Sequence, residues 1–184
     1  SEAEEVLKRI RDILETLRRE HERILKEIRE LNEEFKKEVE KALRKIKREL
    51  EELEKDAERE GTTEELRKKV EKLLRDIKET LRRLEEKSRE LEERIRELLK
   101  RLHETVRTLE ERIKDLREEL RERVDERVEK KIEELLREIR KVNDEVHKRI
   151  RKLLEDHRRT VDEARRRIEE LLRRLKKTLD DIDK

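Results

Sequence analysis

Asp56-Ala57-Glu58-Arg59-Glu60-Gly61-Thr62-Thr63-Glu64-Glu65-Leu66 decides how this chain folds, because it holds the single glycine of a 184-residue sequence that contains no proline. Glycine enters the left-handed conformation that closes a helix without a steric penalty. Thr62 and Glu65 stand at the spacing of a capping box, in which hydroxyl and carboxylate each satisfy a backbone N–H of the opening helix. The stretch therefore predicts a first helix over about residues 2–60, a turn at about 61–63, and a second helix beyond. At about 1.5 Å per residue the first helix would run roughly 90 Å.

Gly61 lies a third of the way along, which predicts three helices of similar length and a second turn near residue 124. The text there is Arg121-Glu122-Arg123-Val124-Asp125-Glu126. Asp125 is a competent N-cap, so the second helix is expected over about 63–123, a turn at about 123–126, and the third helix over about 126–183. With no glycine or proline at that place, the alternative is one continuous helix from 63 to the end, roughly 180 Å long. Such a helix would need partner chains to cover its apolar stripe.

That stripe is legible in all three segments. It runs Ile10, Leu14, Leu17, His21, Ile24, Ile28, Asn32, Phe35, Val39, Ala42, Ile46 in the first. In the second it runs Leu84, Ser88, Leu91, Ile95, Leu98, Leu102, Val106, Leu109, Ile113, Leu116, Leu120. In the third it runs Ile132, Leu135, Ile139, Val142, Val146, Ile150, Leu153, His157, Val161, Ala164, Ile168. Each repeats at about 3.6 residues, whereas a heptad would repeat at 3.5 and wind to the left. The spacing specifies straight helices. The predicted fold is all-α: a single up-down-up bundle of three very long helices of about 60 residues each.

Composition excludes several function classes. Charged residues make up 61% and hydrophobic ones 30%, a balance that only strict periodicity separates from a disordered polyampholyte. Lys plus Arg (57) nearly cancels Asp plus Glu (55), leaving +2 in alternating sign and no basic stripe for phosphates. One Phe, with no Trp or Tyr, gives no stacking platform for single strands. Nucleic acid is not expected as a partner. No apolar run is long enough for a membrane span, and the first residues carry no signal-peptide pattern. With no Cys there is no disulfide, thiolate nucleophile or thiolate metal site.

In this setting the chain resembles parametrically designed, untwisted three-helix bundles, and the resemblance covers nearly all of it. The residues that carry it are the three seams, the near-absence of loop residues, and a Glu/Lys/Arg surface. That surface has i,i+4 pairs such as Glu33–Lys37, Glu40–Arg44, Glu90–Arg94 and Glu169–Arg173. Natural three-helix repeats of the spectrin type are similar in outline but usually carry a core Trp. The resemblance implies an architecture and brings no functional residues with it.

Uncharged polar residues stand out against so charged a surface. A turn centred near 61.5 pairs positions on helices 1 and 2 whose numbers sum to about 123, and one near 124.5 makes helices 2 and 3 sum to about 249. Asn32, Ser88, His157 and Thr160 then share one height, the first three within about 40° of their seam centres. The spacing predicts a buried hydrogen-bonded layer, against the plainer alternative that each group satisfies itself locally. His21, His103 and His147 share a second height. One histidine per helix is the donor set of an open zinc site, but His103 and His147 lie roughly 80–90° from their seam centres. His21 is expected to neighbour Asn143, with Thr105 close by, as a second polar layer.

No catalytic constellation emerges, no cofactor is expected, and none of the carboxylates is distinguished from a solvated face. The expectation is a scaffold without a natural biochemical function, monomeric and needing no partner, whose polar layers specify helix pairing. The alternatives are a three-histidine zinc site with hydrolytic activity, and a pH- or partner-responsive module that exchanges a helix to form oligomers.

Overall fold

The structure, a computed structural model, describes residues 2–60, 63–120 and 125–183. They form α1 (Glu2–Glu60, 59 residues), α2 (Glu64–Glu119, 56 residues) and α3 (Glu126–Asp183, 58 residues), with no strand among the described residues. Gly61 and Thr62 lie outside them, so the left-handed closure and the Thr62 box are not on view. The cap on view is made one residue later: Thr63 Oγ1 accepts the backbone N–H of Leu66 at 3.2 Å. Asp125 caps α3 as its side chain predicts, Oδ1 accepting the Val128 N–H at 2.9 Å. α2 is described to Glu119, and the second turn expected at about 123–126 falls largely on residues 121–124, which lie outside the described residues. No glycine or proline marks that end, so composition offers nothing to fix it.

Contacts cluster the chain into two compact units. One comprises Ser1–Glu30 with Glu93–Leu154, the other Leu31–Glu92 with Glu155–Lys184. Each is a bundle of three helical segments. In the first, Leu17, Ile24 and Ile28 of α1 close on Ile95, Leu102 and Ile113 of α2 and on Ile132 and Ile139 of α3, all almost wholly buried. In the second, Val39 and Leu50 of α1, Val70 and Ile77 of α2, and Ile168 and Leu175 of α3 do the same. Full burial of each such side chain is worth about 1.5–3 kcal/mol. Among the described residues no large hydrophobic side chain is left exposed.

The buried rows follow the seams with local shifts. Leu43 takes the core position expected of Ala42, which is half-buried, because the longer side chain fills the interface better. Leu135, Val142, Leu153 and Val161 on α3, Val106 and Leu116 on α2, and Leu120 just past its end are half-buried and form the edges of the core.

Ion pairs within each unit give the directions of the helices. On α1 and α2 the partners' numbers rise and fall oppositely, as in Glu27–Arg94, Glu38–Lys87 and Asp56–Lys69. α1 and α3 keep a nearly constant offset, with Arg18–Glu138 and Arg174–Glu54 both 120 apart and Arg167–Glu40 127 apart. α2 and α3 are antiparallel through Glu85–Arg165, Glu92–Arg158 and Arg117–Glu129. The order is up-down-up. Several pairs read as intrahelical from the sequence are spent otherwise. Arg94 reaches Glu27 across the interface and Glu97 one turn on, and the Glu40 carboxylate takes Arg167.

Candidate functional site

His157 is the centre of the polar group in the second unit. It is 1% exposed on the α3 seam, on the same helix face as the buried Ile150 and Ala164 that stand seven residues to either side. Ser88 comes to it from α2, also buried, and the hydroxyl and His157 Nε2 are hydrogen-bonded at 2.8 Å. Either group can donate, according to the imidazole tautomer. Nδ1 is buried with no hydrogen-bond partner among the described residues. A proton on Nε2, donated to the hydroxyl, leaves Nδ1 as a bare acceptor, which costs less than a stranded N–H.

Phe35 packs edge-on against the same ring, with centroids 4.7 Å apart and planes at 65°. Sequence reasoning did not join Phe35 to this layer. The signal was there, since it is the one Phe of the chain and stands three residues after Asn32 on the same helix face. Burial pushes the His157 pKa below the ordinary imidazole value, while Glu92 acts in the opposite sense and Arg158 adds to the lowering.

Of the other expected members of this layer, Asn32 is 5% exposed on α1. Thr160 is half-buried, and its hydroxyl donates to the Asp156 carbonyl at 3.0 Å, a local arrangement and not a link across helices. Thr16, Thr80, Thr108 and Thr178 do the same four residues back. These five threonines satisfy their hydroxyls within their own helix.

The first unit holds the remaining three histidines. His21 is 4% exposed on α1, and its Nε2 is buried without a hydrogen-bond partner among the described residues. Burial, and then the positive charge that His147 can carry, lower its pKa to about 4, against weaker opposition from Glu20 and Glu22. Asn143 is half-buried, and its Oδ1 likewise has no hydrogen-bond partner among the described residues. Thr105 is half-buried on α2. His103 is exposed and His147 half-buried, and their ring centroids lie 5.1 Å apart with the planes tilted by 32°. Desolvation lowers the His147 pKa, followed by His103 and Arg151, with Asp144 opposing. A groove lined by Arg18, His21, Glu22, Leu25, Val142, Glu145, Val146 and Arg149 runs along the surface beside His21.

The three histidines at one height are thus a neighbouring pair at the edge and one ring in the core. Among the described residues no group of three or more His, Cys, Asp or Glu side chains is placed to hold a metal ion. Nor is any helix there long and apolar enough to cross a membrane.

Comparison with known proteins gives a fold and no family. No protein-family model matches the chain, and no curated protein does. Among solved structures it is similar to a computationally designed three-helix bundle, at 21% identity and a TM-score of 0.68, over 98% of this chain and 88% of that one. That likeness establishes the three-helix bundle as the fold.

Proposed function

We propose that this chain is a designed structural scaffold without a natural biochemical function, in which buried polar groups fix the pairing and register of the helices. The reading is supported by the likeness to a designed bundle and by periodicity kept along all three helices. The observation that carries it is the Ser88–His157 hydrogen bond, a buried link between α2 and α3. A one-residue slip of either helix would strand both groups in an apolar interior, which costs more than the bond gains. Such a layer works against wrong registers, not for raw stability. The chain acts as a monomer and performs no catalysis.

A double-mutant cycle tests this. Ser88→Ala alone should cost about 1–3 kcal/mol, because it removes the hydroxyl that is hydrogen-bonded to the buried His157 ring. Adding His157→Leu should recover most of that loss, since removing both partners together is close to neutral. Additive losses in guanidinium unfolding would mean that the bond specifies nothing.

A further inference from the structure

We propose that a groove between α1 and α2 in the second unit binds a compact multivalent phosphate anion of the pyrophosphate class. The groove has a volume of about 320 Å³ and carries Lys41 and Lys45 from α1 with Arg83 and Lys87 from α2, against one carboxylate, Glu38. Between them lie the buried Thr80 and Leu84 and the half-buried Ala42. Two other grooves are balanced in charge. The one beside Ser88 has three arginines against three acids, and the one beside His21 two arginines against two acids.

The cluster comes from a local break in the charge pattern. Lys41 and Lys45, like Arg83 and Lys87, stand at i,i+4, where like charges repel. α1 and α2 are antiparallel, and the Glu38–Lys87 ion pair at 2.6 Å puts Lys41 and Arg83 at nearly one height on neighbouring helices. Cation thus meets cation where Asp56–Lys69, in the same unit, sets opposite charges together. Little in the chain offsets this. Lys41 and Lys45 make no ion pair among the described residues. Glu38 serves Lys87, and Glu79, which attracts Arg83, is held by Arg82 at 2.6 Å. A cleft lined by one sign of charge concentrates the opposite ion. Lysine meets phosphate oxygens as a point charge and arginine through paired N–H groups. Four cations against one carboxylate suit an anion of three or more charges, which favours pyrophosphate over orthophosphate.

The test is calorimetric titration of the intact protein with sodium pyrophosphate, and separately with sodium phosphate, at pH 7.5 and low ionic strength. One pyrophosphate should bind per chain, at least about tenfold more tightly than phosphate, and added salt should weaken it. Lys41→Gln/Arg83→Gln should weaken binding by at least about tenfold. Lys26→Gln/Lys100→Gln, the same loss of charge at exposed positions of the first unit, should leave it within about twofold. Glu38→Gln should tighten it by about threefold or more, since it removes the one carboxylate and frees Lys87. All five positions are exposed, so the variants keep the fold, which circular dichroism checks. Equal losses in the two double variants overturn the proposal, as does weaker binding by Glu38→Gln, equal binding of phosphate, or no saturation at one anion per chain.

Discussion

A buried ring nitrogen that meets no hydrogen-bonding group is a cost which residue-scale reasoning can weigh. The His21 Nε2 is such an atom, enclosed between α1 and its neighbours without a partner among the described residues. Leaving a buried polar group unsatisfied costs about 1–3 kcal/mol, and leucine has a similar volume with no polar atom to strand. His21→Leu should therefore raise stability at pH 7.5 by about 1 kcal/mol or more, read as a higher guanidinium midpoint at unchanged slope. A lower midpoint would mean that His21 has a polar partner which matters. The inward direction of His21, Asn32, Ser88 and His157 was legible, because a 3.6-residue period fixes which face a position occupies. The choice of partner was not. Whether Ser88 bonds to His157 or to its own carbonyl turns on a rotamer and a fraction of an ångström, and periodicity carries neither.

Helix starts show the same limit at the next scale. Two threonines stand together after Gly61, and the capping-box rule favours Thr62 because Glu65 follows it by three. Thr62 lies outside the described residues; within them Thr63 accepts from Leu66 as an N-cap. A rule for the side chains alone cannot separate the two, since either hydroxyl reaches an open N–H and the path of the turn decides. Asp125 had no rival, and there residue type was enough. Thr63→Ala and Asp125→Ala should each cost about 1 kcal/mol, as loss of an N-cap usually does. The losses should add in the double variant, because the caps belong to different helices and share no partner. Thermal unfolding of the three variants checks this, and a silent Thr63→Ala would move the cap back to Thr62. Cross-helix ion pairs such as Glu27–Arg94 and Glu40–Arg167 were hidden for a related reason: one helix's sequence shows spacing within itself and not which neighbour a long side chain prefers. At the surface each is worth at most about 1 kcal/mol, so their choice does not decide the fold.

For the molecule as a whole the imidazoles couple folding to protons, and all the resolved shifts point one way. Desolvation lowers the pKa of His21, of His157 and of His147, in the first case from 6.5 to about 4. A base with a depressed folded pKa is neutral in the fold and charged in the unfolded chain between the two values, so the unfolded state binds more protons there. Stability is then complete above the unfolded value, falls as pH drops below it, and levels off once pH passes the folded value. For His21 the window runs from 6.5 to about 4, and the full effect is on the order of 3 kcal/mol. His157 adds a contribution of the same sign, and His147 a smaller one because its ring is half in solvent. Many apolar side chains remain buried whatever the pH, so acid should weaken the bundle without unfolding it. Guanidinium midpoints at pH 7.5 and pH 5 should differ clearly in the parent protein. In His21→Leu/His157→Leu the difference should shrink to what His147 and the surface charges supply. An equal drop in both proteins would mean that neither core histidine is held neutral, and the inward phase assigned to α1 and α3 would fail with it.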